Sequence, residues 1–392
     1  MNPLIQIILI LLLAKLLGEL VERTGFPALI GEVAAGIILG PAILNLITPN
    51  EIIEFFADIG IIVLLFMSGA QLNMRTFAKS EKVGVTTALG GVAIPLALGS
   101  ALGYFAGFGL RECIFLGIAL SITSIGISVR TLVDLRELKS RIGMTIVSAA
   151  VIDDVIGVIL LVMLTTLGTG MGSVGEVALT VLAIAVFFIV IFTAGRQIIL
   201  WSFGSARSAH THEMPYSIAI IIAFITAVMA NEAGLHYAIG GFIAGLILGD
   251  SIRNDRYLYD SLAEFAFGFF VTIFFASIGL FITFSLDTFV LPFIALFILI
   301  AFAGKILGGY IGSFWYLRDH LRSFLVGLGL SPRGEITLVV SKIALLSGLI
   351  TASLFSSVTI MVIATIFLTP VLMTRGFGRL RSKDVPPHAD AK

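Results

Sequence analysis

Thirteen long apolar runs leave this chain almost nowhere to fold except across a lipid bilayer. They occupy 3–22, 27–46, 51–73, 83–108, 112–131, 141–167, 174–202, 214–232, 236–253, 258–283, 286–316, 321–347 and 353–375. A helix needs roughly 20 apolar residues to cross about 30 Å of hydrocarbon. The runs are continuous rather than alternating, which excludes a β-barrel. Composition agrees: 58% of residues are hydrophobic and 12% charged, against about 25% charged in soluble domains. The expected fold is an all-α polytopic membrane protein with 13 transmembrane helices. Met1 to Leu13 lacks a basic start and its run continues to Leu20, so it reads as a first span rather than a cleaved signal. The last dozen residues, with Pro386 and Pro387, read as a disordered tail. Cys113 is the lone cysteine, so one chain holds neither a disulfide framework nor a cysteine metal cluster. Basic and acidic residues balance at 24 each, which gives no sign of a nucleic-acid partner.

Basic residues in short loops mark the cytoplasmic side. Arg75, Lys79 and Lys82, then Arg130, Arg136, Lys139 and Arg141, then Arg318 and Arg322, all follow odd-numbered spans. The opposite loops hold only Arg111. The N-terminus is therefore expected outside and the C-terminus in the cytoplasm.

An internal repeat fits the same plan. ALIGEVAAGIILGP at 28–41 and YAIGGFIAGLILGD at 237–250 share half their positions at a constant offset of 209, including Gly31/Gly240, Gly36/Gly245 and Gly40/Gly249. The offset also pairs Ser68 with Ser277, and Thr123-Ser124 of span 5 with Pro332-Arg333 of span 12. Spans 2 and 9 run in opposite directions, so the halves form an inverted repeat with span 7 as linker. Transporters built this way place their substrate site near the midplane, at discontinuous helices.

Charge inside the bilayer is costly and usually functional. Asp153 and Asp154 lie about 18 Å above the cytoplasmic end of span 6 at Arg141. Consecutive helical residues point about 100° apart. The two carboxylates therefore take different tasks, one for a travelling ion and one for a partner helix. Two structural acids held by hydrogen bonds are the competing reading. Lys305 in span 11 is too deep to snorkel easily, and Asp153, Asp154 and Glu335 are the acids at its depth. That ion pair has a purely structural reading as well. In span 12, Ser331-Pro332-Arg333-Gly334-Glu335 breaks the helix. There Arg333 and Glu335 read as neutralising the dipole ends. The matching Ser121-Ile122-Thr123-Ser124-Ile125-Gly126-Ile127-Ser128 of span 5 offers hydroxyls and freed carbonyls suited to a hard cation. Ordinary helix packing is its plainer reading. No glycine loop with Lys and Ser/Thr is present to cradle a nucleotide phosphate, so neither ATP nor another cofactor is expected.

On these residues the chain resembles cation/proton antiporters of the NapA type, bacterial sodium/proton exchangers of the second monovalent cation:proton antiporter branch with an NhaA/NapA-like fold. The likeness runs over essentially the whole chain, and the Asp-Asp pair with a deep lysine is its most specific element. It implies that Asp154 binds Na+ (or Li+) and protons, that Asp153 pairs with Lys305, and that Thr123 and Ser124 are ligands beside crossed, unwound helices. It implies a homodimer in the inner membrane. The scaffold would comprise 1–82 and 214–285, the moving core 83–167 and 286–378, the linker 168–213 and a cytoplasmic tail 379–392. An Asp rather than an Asn before the binding Asp implies electrogenic exchange. The nearest rival is a K+/H+ antiporter of the same fold. More distant ones are a Na+-coupled organic-anion symporter and a cation channel. An intramembrane aspartyl protease needs aspartates on different helices, which adjacent Asp153 and Asp154 do not supply, so no enzyme is expected.

Overall fold

The computed structural model describes residues 2–74, 77, 81–169, 174–211, 213–282, 291–346 and 348–384; some helix side chains, that of Glu335 among them, fall outside this set. Among the described residues all regular structure is helical. The helices are α1 (Pro3–Arg23), α2 (Leu29–Leu39), α3 (Glu51–Gln71), α4 (Glu81–Phe105), α5 (Leu110–Ser121), α6 (Ile125–Asp134) and α7 (Arg141–Thr169). They continue with α8 (Val174–Val190), α9 (Arg196–Arg207), α10 (Met214–Glu232), α11 (Tyr237–Arg253), α12 (Arg256–Phe265) and α13 (Val271–Leu280). The last are α14 (Leu291–Leu317), α15 (His320–Gly329), α16 (Glu335–Leu346) and α17 (Ala352–Asp384). π-turns at Ile191–Gly195 and Ala266–Phe270 join α8 to α9 and α12 to α13. Nine helical stretches among the described residues are long and apolar enough to cross a membrane. This is a multi-pass membrane protein.

Two compact units form. One comprises 1–20, 31–79 and 154–283, the other 21–30, 80–153 and 284–392. The division falls between Asp153 and Asp154, inside α7.

In the first unit the sequence repeat reappears as a repeated contact. A Cβ at Gly36 of α2 would strike the Ala276 carbonyl of α13, and one at Gly245 of α11 would strike the Phe66 carbonyl of α3. Gly31 lies in the same way on Leu17 of α1, and Gly240 on Thr226 of α10. Each pair keeps the offset of 209 on the α2/α11 side, and Leu17 and Thr226 keep it as well. Lipid tails give helices no hydrophobic reason to associate, so small residues that admit a neighbouring backbone supply the contact. Ile7, Ile10 and Ala14 of α1 close around Ala35, Leu39, Ile47, Ile53, Ile273, Ala276 and Leu280.

The second unit is built on another glycine stripe. Gly304, Gly308 and Gly312 recur every four residues along one face of α14 and receive Pro95, Gly90 and Thr86 of α4. Gly309 takes Gly327 of α15 on an adjoining face. Lys305 sits beside the stripe, so the close approach of α4 and α15 fixes where its ammonium can go.

Overpacking a tight site costs about 1–3 kcal/mol. Gly245→Val is therefore expected to lower thermal stability in detergent by that order, whereas Gly268→Ala, where an added Cβ meets nothing within 4 Å, leaves it nearly unchanged. Equal melting of the two variants would contradict the packing account.

Candidate functional site

Two helix interruptions meet in the second unit. α5 stops at Ser121; Ile122 and Ser124 are extended, and α6 starts at Ile125. α15 stops at Gly329, residues 331–334 are non-helical, and α16 starts at Glu335. Pro332 cannot donate a backbone hydrogen bond and its ring obstructs the preceding turn. Gly334 is required because a Cβ there would come within 2.5 Å of Ser124 Oγ.

At membrane depth, freed backbone groups need protein partners, and each interruption supplies the other's. Ser124 N donates to Pro332 O at 2.9 Å. Thr123 Oγ1 donates to Leu330 O at 3.3 Å, and Ser128 Oγ to Gly329 O at 2.6 Å. Arg333, wholly buried, donates from Nη1 to Leu330 O and Ser331 O and from Nη2 to Leu120 O. Its own amide is held by Thr365 Oγ1 of α17 at 3.1 Å. Thr123 and Ser124 are also buried. With its proton committed to Leu330 O, the Thr123 hydroxyl keeps lone pairs for a cation.

Lys305 Nζ lies 3.0 Å from Asp153 Oδ2, with the two side chains 0% and 2% exposed. Gly91 of α4 lies alongside, where an added Cβ would stand in ordinary contact with that ammonium at 3.8 Å. Asp153 Oδ1 accepts no hydrogen bond among the described residues. Asp154, the next residue of α7, is buried at 6% exposure. Glu335 opens α16, and its side chain lies outside the described residues. Of the residues singled out from sequence, the fold joins Lys305 to Asp153, and Thr123, Ser124 and Arg333 to one another's interruptions.

Sequence reading missed Thr365 and Gly91. Thr365 lies in an ordinary apolar run and Gly91 in a glycine-rich one, so neither carries a local signal. In the other unit Glu32, in the first turn of α2, is buried and accepts a hydrogen bond from Thr272 Oγ1 at 2.9 Å, with Lys15 Nζ at 3.8 Å.

Removing one partner of a buried ion pair strands the other charge, at about 3–5 kcal/mol. Lys305→Met is expected to destabilise by that order. Lys305→Met with Asp153→Asn should recover much of the loss in thermal unfolding, and additive losses would show that the two residues do not act as a pair.

The family described as sodium/hydrogen exchanger, transmembrane, matches residues 8–374. The Na(+)/H(+)-K(+) antiporter GerN of Bacillus cereus is 33% identical, over 95% of this chain and 96% of that protein. An Na(+)/H(+) antiporter of Enterococcus hirae is 29% identical, over 94% of this chain and 97% of its own length. The solved sodium proton antiporter MjNhaP1 of Methanocaldococcus jannaschii superposes on 100% of both chains with a TM-score of 0.74 at 18% identity, a likeness of fold. With buried charges at interrupted helices and a family match along nearly its whole length, this chain belongs to the sodium/hydrogen exchanger family.

Proposed function

We propose that this family member is a secondary active, electrogenic Na+/H+ antiporter in which Na+ and protons compete for Asp154. The observation that carries the reading is the buried Lys305–Asp153 pair, in the residue next to Asp154 and in the unit that holds the paired helix interruptions. Burial penalises the ionised form of a carboxylate, so a proton at Asp154 competes with a cation. The deprotonated residue takes a partly dehydrated Na+ with Thr123, Ser124 and nearby carbonyls, and protonation expels it. An empty, charged site crosses poorly because of its desolvation cost, and that obligation couples the two fluxes.

Asp153 and Lys305 act as a second proton-dependent element. If cation binding loosens the pair, Lys305 releases its own proton and exchange approaches two protons per Na+; if Lys305 stays charged, it falls toward one. Arg333 and Glu335 compensate the half-helix dipoles.

The finer architecture follows the same reading. Thirteen spans are supported by helix boundaries that track each apolar run once α5–α6, α8–α9, α12–α13 and α15–α16 are each counted as one span. The inverted repeat is supported by the duplicated glycine contacts. Two crossed discontinuous helices are supported by the hydrogen bonds between residues 123–128 and 329–332. The scaffold (1–82 and 214–285) and moving core (83–167 and 286–378) exchange access around the site, with 168–213 as linker. The protein works as a homodimer in the inner membrane, N-terminus outside and C-terminus cytoplasmic. K+ is a second candidate cargo, because the name of the Bacillus cereus relative includes K(+).

In liposomes, Na+ or Li+ gradients should drive opposite proton flux that responds to membrane potential, and Asp154→Asn should abolish it. Cation flux without proton movement, or full activity in the variant, would sink the mechanism. Proton flux driven by K+ alone would reassign the cargo.

A further inference from the structure

The guanidinium of Arg333 occupies a place that, by its ligands, suits a metal cation. Its described hydrogen bonds all go to backbone carbonyls: Leu330 O at 3.5 Å, Ser331 O and Leu120 O. These oxygens belong to the C-terminal ends of two half-helices, α5 with its last turn at Leu120 and α15 with its cap at Leu330. Helix C-termini carry partial negative charge, and unwound carbonyls at half-helix C-termini are the groups that coordinate alkali cations in repeat-built transporters. Nε of Arg333 finds no hydrogen-bond acceptor among the described residues, so the carbonyls alone orient the head group. The Thr365 hydroxyl gives its proton to Val362 O at 2.9 Å and accepts from the Arg333 amide at 3.1 Å, which pins the backbone from which the side chain reaches the oxygens.

We propose that the carbonyls of Leu120, Leu330 and Ser331 form a latent alkali-cation site that Arg333 keeps filled as a tethered cation. This rests on the antiport reading and adds to it. By occupying the cage, the guanidinium ties the two interruptions together and denies Na+ a second resting place, so the transported ion is confined to the aspartate site. It also explains a fully buried arginine whose described partners include no carboxylate, since two helix ends stand in for the counter-ion. Thr365 is a positioning residue for it.

The test is the amount of radioactive Na+ bound per chain by the purified full-length protein, in four forms: wild type, Asp154→Asn, and Asp154→Asn combined with Arg333→Ala or Arg333→Lys. The expected result is that Asp154→Asn loses the bound Na+, and that the combination with Arg333→Ala regains about one Na+ per chain. Added methylguanidinium should displace that ion and raise the melting temperature of the same variant with concentration, as any ligand of the folded state does. The combination with Arg333→Lys, which keeps a cation in the cage, should bind none. A folded Arg333→Ala, Asp154→Asn protein that binds no Na+, or whose melting ignores methylguanidinium, overturns the proposal. So does one that cannot be recovered folded even with methylguanidinium present throughout purification. Equal binding by wild type and Asp154→Asn would instead overturn the aspartate site, and the comparison of the two Arg333 variants would still decide the cage.

Discussion

A backbone that leaves its helix inside hydrocarbon must have its polar groups met by protein, because lipid offers none. The rest of this structure depends on how that demand is met. Each interruption is the hydrogen-bonding partner of the other, through Ser124 to Pro332, Thr123 to Leu330 and Ser128 to Gly329. Such a junction needs close helix approach. The Gly304, Gly308 and Gly312 stripe brings α4 onto α14, and Gly309 and Gly327 bring α15 onto the same helix. Glycine here serves proximity, and proximity lets irregular backbone exist at this depth.

Charge is then placed where that geometry permits. Lys305 is held on the glycine-bearing helix with Gly91 opposite, and meets Asp153 at 3.0 Å. A buried ion pair contributes little net stability, since desolvation offsets most of the attraction. Its persistence in so apolar a chain points to function. The pair engages Asp153, and the proposed exchange of cation and proton is assigned to its neighbour, Asp154. Arg333 completes the arrangement from the side of the helix ends, with carbonyls rather than a carboxylate as its described partners.

The all-helical, multi-pass character and the two helix interruptions were legible in the sequence because their cause is local. Twenty apolar residues declare a span, a Pro-Arg-Gly within one declares a break, and a charge at that depth declares a purpose. Depth alone left three acids as candidates for Lys305, and the family resemblance singled out Asp153, the acid it meets at 3.0 Å; the choice depends on how α7 faces α14. What stayed illegible were interactions between distant segments with no residue-type signature. Thr365 anchoring the Arg333 amide looks like any threonine in an apolar helix, and Leu120 contributes only a carbonyl that every residue has. The resemblance to the sodium/hydrogen exchangers, carried by Asp153-Asp154 and Lys305, agrees with the family match over residues 8–374.

The central claim is that cation and proton share one carboxylate, and the most direct measurement is calorimetric titration of Na+ into the purified protein in buffers of different ionisation enthalpy. The account predicts that Na+ binding releases protons, so the observed heat changes with the buffer and the apparent affinity weakens as pH falls. Heat that is the same in every buffer, with an affinity indifferent to pH, would mean that Na+ and protons do not compete and would contradict it.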